Sequence, residues 1–369
     1  MKRETDASRM DRLDVLRGIA VAGVVLVHSE SVFASGGGST DLENSSVNAI
    51  MTIFAAGRFG VEVFFLLSGF LIASIYGGSG FSIKKFTFAR FFRIWPLWAI
   101  FSVIWLLLLG LRTSDNNSSS LVSAFVLSLG FLLWTSPEYF DSFIGGAWSI
   151  QIEVLAYGLF ALLHRFRFET LVGIAVLVNV IGVVSVAGSL EDPGLLSSVR
   201  RLSFQTGFNF FLLGWLIAAA SRSFSGVQES LDWLRVGGRP YLLALWIASF
   251  LFTPAIYGNP IEAFGFVSLA VILAFTVQGI SKRVLEWLGI HSYFIFFAHF
   301  VALWVIDLLI PSDLFNSVSG FSAVLVTAFS WLGLLGALSP LAWLSMRYIE
   351  KPLIRFGKKL AGGFENKGT

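Results

Sequence analysis

The chain has no cysteine, four histidines and only 13% charged residues. Without cysteine there is no disulfide, no thiolate nucleophile and no cysteine-ligated zinc site. A soluble globular domain carries roughly 25% charged residues, so this scarcity points away from one. What is present instead is 56% hydrophobic residues, gathered in runs such as LWAIFSVIWLLLLGL (97–111) and LVGIAVLVNVIGVVSVAG (171–188). A bilayer asks for about 20 apolar residues per helix and leaves no unpaired backbone, which predicts an all-α polytopic membrane bundle. The net charge of +3 does not imply nucleic acid, because the basic residues flank apolar runs and do not stripe one folded face.

Apolar runs and their basic flanks predict about ten transmembrane helices, near 12–33, 50–77, 92–112, 147–165, 168–188, 203–222, 240–257, 261–281, 285–310 and 320–349. Basic clusters such as Lys84/Lys85/Arg90/Arg93 and Arg347/Lys351/Arg355/Lys358/Lys359 then fall on one side, with both termini cytosolic. The run 121–135 is short for a full span and is expected to be re-entrant or interfacial. Residues 34–48 and 112–120 have the Ser/Gly/Asn composition of solvated outer loops. Residues 1–11 are charged and precede the first apolar run without a small-residue cleavage site, as in a retained signal-anchor. The whole of 1–369 is expected to form a single membrane-embedded domain with no soluble accessory domain.

Ionisable residues inside apolar helices are expensive, so each one marks a candidate site. In RGIAVAGVVLVH (17–28), Arg17 and His28 are eleven residues apart, almost three turns, and share one helix face about 16 Å apart along the axis. Arg58 and Glu62, four apart, are expected to pair with each other. Ser68-Gly69 is a small pair among bulky aromatics, where a second backbone or a ligand can come close. Arg90 and Arg93, three apart, present two guanidinium forks to a polyanion such as a nucleotide-bearing donor. Trp148, Glu153 and Tyr157 enter a span from the outer side, and Glu153 and Tyr157 share a face. At comparable depth, Glu153 is the expected partner that orients His28 as a general base. His299 falls near mid-membrane, as a core histidine or a pocket residue. Histidines and carboxylates show no zinc-ligand spacing, so no metal is expected.

Taken in order, RLDVLRGIAVAGVVLVH, GVEVFFLLSGFLI, FARFFRIWPLW, GAWSIQIE, LGIHSYFIFFAH and RYIEKPLIR resemble the acyltransferase-3 family of integral membrane O-acyltransferases over nearly the whole chain. The resemblance implies a ten-helix bundle in the bacterial cytoplasmic membrane that moves an acyl group, commonly acetyl from acetyl-CoA, onto a hydroxyl of a sugar-containing acceptor. The family's arginine–ten residues–histidine motif matches Arg17 and His28, its paired arginines match Arg90 and Arg93, and its tryptophan–serine segment with a following glutamate matches Trp148, Ser149 and Glu153. Glu62 stands where relatives often have aspartate, and Phe296 and Phe297 fall where tyrosine is common; neither departure changes the implied reaction class. Many relatives carry an esterase-like soluble domain, whose place would here be taken by transfer within the membrane or by a separate partner.

The resulting expectation is that Arg90 and Arg93, with Arg17, hold the phosphates of acetyl-CoA or another acyl-CoA. His28 acts as base or nucleophile with Glu153 beside it, and Ser68, Trp148, Tyr157 and His299 contact substrates. The partners implied are the lipid bilayer, the acyl-CoA and a glycan or glycolipid acceptor. A transporter or flippase would use the same buried charges as a substrate path and would be favoured by inverted repeats; the sequence shows none. A purely structural membrane subunit would have no use for the cost of burying Arg17 and His28.

Overall fold

The computed structural model describes residues 2–30, 45–78, 80–111, 118–136, 146–166, 168–189, 195–223, 239–251, 260–309 and 318–363. Most of the expected outer loops, at 31–44 and 112–117, lie outside them. The described residues are helical, without strands: α1 (Lys2–Ser29), α2 (Ser45–Ala55), α3 (Gly60–Tyr76), α4 (Ile83–Gly110), α5 (Ser118–Leu129), α6 (Ala147–Leu163), α7 (Phe168–Ser189), α8 (Leu195–Ser223), α9 (Arg239–Leu251), α10 (Pro260–Thr276), α11 (Gly279–Ile290), α12 (Ser292–Leu309), α13 (Gly320–Ser345) and α14 (Lys351–Gly363). A 3₁₀ turn, Ala56–Phe59, joins α2 to α3, and a π turn, Met346–Glu350, joins α13 to α14.

Four helical stretches among the described residues are long and apolar enough to cross a membrane: Ser46–Tyr76, Ile83–Gly110, Ser292–Leu309 and Gly320–Gly362. Six further apolar helices of 10–17 residues accompany them. Large apolar side chains stand exposed on these helices, among them Leu107, Leu162, Ile272 and Phe329. Such a surface suits hydrocarbon contact and is costly in water.

The charge-bearing α1 is packed on several sides, by α3, α10, α11, α12 and α13, and this is how its polar residues are kept from lipid. At one end, Arg12 donates to the carbonyls of Ala274 (2.9 Å) and Val277 (3.0 Å), closing the end of α10. Farther along the same helix come Arg17 and then His28.

Helices α3 and α8 touch backbone to backbone. A Cβ on Gly69 would sit 1.9 Å from the Phe211 carbonyl oxygen, and one on Gly214 2.0 Å from that of Leu66. Of the Ser68-Gly69 pair, the glycine therefore serves the helix contact and leaves the serine for the other side. The short α5 leans on α4, where Trp95 and Trp98 donate from Nε1 to the carbonyls of Leu129 (3.0 Å) and Ser128 (2.8 Å). Twelve residues rise about 18 Å, less than a roughly 30 Å hydrocarbon core. Buried Asn179, Asn209 and Trp246 tie α7, α8 and α9 together through hydrogen bonds at 2.6–3.3 Å.

Contrary to the expected pairing, Arg58 does not come within ion-pair distance of Glu62, although its charge still acts on that carboxylate. Arg58 lies in the 3₁₀ turn, where three residues complete a revolution and the i, i+4 face is lost. Its Nη2 reaches Glu262 on α10 instead, at 3.1 Å.

Candidate functional site

A cavity of about 430 Å³ opens between α1, α3, α4, α6 and α12, a size suited to an elongated organic ligand. Ser82 caps α4 by accepting from the Lys85 amide, and about two and three turns on, Arg90 and Arg93 face the cavity. Arg17 of α1 faces it too, paired with Asp14 at 2.5 Å. The Arg90 guanidinium lies 5.5 Å from the centre of the Tyr76 ring and 5.6 Å from that of Tyr157. Its Nε is buried and has no hydrogen-bond partner among the described residues. Two arginines expected from their spacing on one helix and a third from another helix thus converge on one space.

The cavity wall also carries Ser68, Glu153 and Tyr157. Both the Ser68 and the Tyr157 hydroxyls donate to Glu153 Oε1, and the two hydroxyl oxygens lie 3.2 Å apart. This carboxylate is held by two donors from two helices, which satisfies a charge that burial would otherwise penalise. Trp148 does not line the cavity; its ring packs 6.5 Å from that of Phe65, and its neighbour Ser149 takes the lining position.

His28 lies outside the cavity, paired with His299. The Nδ1 of His28 is 2.8 Å from the Val24 carbonyl oxygen, and that of His299 is 3.1 Å from the Ile295 carbonyl oxygen. Carbonyls only accept, so in the neutral rings this network assigns the proton to Nδ1 in both. The Nε2 of His299 then carries a lone pair, and it stands 3.3 Å from Nδ1–H of His28. His28 consequently has its basic nitrogen at Nε2. The orienting acceptor expected from Glu153 is supplied by His299 and Val24.

Aromatic rings separate the two regions. Phe296 lines the cavity and stands 6.0 Å from the His299 ring, and Phe300 stands 4.7 Å from the ring of His28. Glu153 bonds to Ser68 and Tyr157 on the cavity wall, whereas His28 meets Val24 and His299 outside it. One residue from the terminal basic cluster, Lys358 of α14, also lines the cavity, although its sequence neighbourhood shows only a topology signal. Among the described residues no group of three His, Asp or Glu side chains is placed to hold a metal.

A family model described as an acyltransferase domain, that of acyltransferase-3, matches residues 10–338. The chain belongs to the acyltransferase-3 family. Among the relatives of this acyltransferase-3 chain is a Bacillus subtilis (strain 168) protein, YrhL, provisionally named a peptidoglycan O-acetyltransferase, 26% identical over 92% of this chain and 54% of its own. The peptidoglycan O-acetyltransferase OatA of Listeria monocytogenes is 24% identical over 97% of this chain and 58% of its own. The O-acetyltransferase OatA of Staphylococcus aureus (strain NCTC 8325 / PS 47) is 23% identical over 94% and 57%. The acyltransferase-3 chain thus spans little more than half the length of these curated relatives. No solved structure matches it.

Proposed function

We propose that the protein is a membrane O-acyltransferase that takes an acyl group, acetyl first among candidates, from acyl-CoA and places it on a hydroxyl of a cell-envelope glycan. The observation that carries this reading is the layout of α1 within an acyltransferase-3 chain: Arg17 faces a cavity shared with Arg90 and Arg93, and His28 lies beyond Phe296 at the other end of the same helix face. The relatives' names make peptidoglycan the first acceptor to test.

In this reading the arginines hold the donor's phosphates by charge-assisted, forked hydrogen bonds. The pantetheine arm runs past Ser68, Tyr157 and the apolar wall toward Phe296, and the acyl end passes that ring to reach the histidine pair. His28 Nε2 accepts the proton of the acceptor hydroxyl as its oxygen attacks the thioester carbonyl. The new C–O bond forms, the C–S bond breaks, and the proton passes from Nε2 to the departing thiolate. His299 holds His28 in the Nδ1–H tautomer, Glu153 keeps Ser68 and Tyr157 in place along the arm, and Trp148 supports the wall. The chain crosses the bacterial cytoplasmic membrane about ten times with both termini cytosolic, so the arginines meet the donor from the cytosol.

The test is thiol release from acetyl-CoA by purified protein in lipid nanodiscs, with soluble peptidoglycan fragments and other envelope glycans as acceptors. Acceptor-dependent thiol release with acetylated product supports the reading. A folded protein that neither binds nor consumes any acyl-CoA overturns it.

A further inference from the structure

We infer that Lys358, on the C-terminal helix α14, is a donor-binding residue that contacts the ribose 3′-phosphate of the acyl-CoA and selects 3′-phosphorylated over dephosphorylated donors, a reading that rests on the acyl-CoA donor proposed above. Helix α14 lies beyond residues 10–338, the part of the chain that the acyltransferase-3 match covers. It is nevertheless built into the cavity. The π turn Met346–Glu350 follows α13, and across it Ser345 Oγ, at the end of α13, donates to Glu350 Oε1 at 2.9 Å. A π turn shifts the faces of the following helix, and such turns cluster at functional positions.

Helix α14 then docks against α4 beside the arginine pair. A Cβ on Gly357 would sit 2.6 Å from the Phe92 Cβ, and the Phe356 ring meets that of Phe92 edge-on at 5.3 Å. Only a glycine lets the two helices come this close, and the next residue, Lys358, is carried to the cavity rim. Ile354 lines the cavity four residues earlier, on the same face of α14. The neighbouring Lys351, Arg355 and Lys359 do not line it.

The charges on the wall match the ligand. Arg17 is offset by Asp14, which leaves Arg90, Arg93 and Lys358 as cavity cations with no carboxylate within ion-pair distance among the described residues. Coenzyme A carries three phosphates, two in the diphosphate that joins the pantetheine arm and one on the ribose at the far end. With the arm directed past Ser68, the diphosphate falls to the arginines of α4. The ribose phosphate falls to the rim, where Lys358 and the half-exposed Met10 stand.

The experiment compares calorimetric binding of coenzyme A and dephospho-coenzyme A to the full chain in nanodiscs of uncharged lipid, for the unmodified protein, Lys358→Ala, Lys358→Arg and Lys359→Ala. The expected result is a preference for coenzyme A of about five- to tenfold in the unmodified protein. Lys358→Ala should lose it, whereas Lys358→Arg and the charge-matched Lys359→Ala should keep it. Retention of the preference by Lys358→Ala, its equal loss in Lys359→Ala, or no preference in the unmodified protein overturns the role of Lys358 and leaves the donor reading standing. Failure of the unmodified protein to bind either ligand overturns both.

Discussion

His28 Nδ1 and His299 Nε2 stand 3.3 Å apart, in a geometry where only one of the two nitrogens can carry the proton. The Val24 and Ile295 carbonyls place it on His28. If this contact holds the tautomer, its removal lowers the rate of acyl transfer without weakening the donor. A neutral hydrogen bond contributes about 1 kcal/mol, so His299→Ala is expected to reduce kcat by roughly fivefold to tenfold. KM for acyl-CoA should stay unchanged, and His299→Gln, which keeps an acceptor, should recover part of the loss. An equal fall in kcat with a matching rise in KM for the donor would assign His299 to binding.

Glu153 accepts from Ser68 and Tyr157, so its loss removes two hydrogen bonds at once and leaves the two hydroxyls, 3.2 Å apart, only each other as partners. An unsatisfied buried polar group costs about 1–3 kcal/mol. Glu153→Ala is expected to lower the thermal midpoint of the detergent-solubilised protein clearly, and Glu153→Gln, which keeps one acceptor oxygen, by less. Equal midpoints for the two variants would contradict the assigned hydrogen bonds.

Phe296 is the ring bordering both the cavity and the histidine pair. A smaller apolar side chain at this position opens the cavity toward His299 while keeping the wall apolar. Phe296→Leu is expected to raise thioester hydrolysis in the absence of acceptor and to admit longer acyl chains, measured by thiol release across an acyl-length series. An unchanged acyl-length profile would show that the acyl group takes another route.

Backbone contact between α3 and α8 makes Gly69 intolerant of any side chain. Its Cβ would meet the Phe211 carbonyl oxygen at 1.9 Å, whereas one on Gly158 of α6 meets nothing within 4 Å. Gly69→Ala is expected to cost about 1–3 kcal/mol or more, because two helices must separate, and Gly158→Ala to be neutral or mildly stabilising. Thermal midpoints of the two purified variants check the contrast.

Much of this site was legible because helical periodicity is local. Arg90 and Arg93, and likewise Glu153 and Tyr157, needed only three- and four-residue spacing to be placed on shared faces. Pairing between helices was not legible in the same way. Depth along α1 and α6 led to the expectation that His28 and Glu153 meet, but depth says nothing about facing: Glu153 bonds to Ser68 and Tyr157, and His28 meets Val24 and His299. Arg58 failed to meet Glu62 because a four-residue 3₁₀ turn changed the local period. Lys358 read as one more member of a basic cluster because its placement depends on the π turn and on Gly357 meeting Phe92, neither of which leaves a periodic trace.

The central claim is that His28 does chemistry while the arginine-lined cavity binds the donor. The measurement that tests it most directly follows acyl transfer and donor binding in parallel for the unmodified chain and His28→Ala in nanodiscs. The predicted result is loss of transfer by about 10²–10⁴-fold, the contribution of a positioned base, with the donor Kd unchanged. Full transfer activity in a folded His28→Ala, or loss of donor binding together with activity, would contradict it.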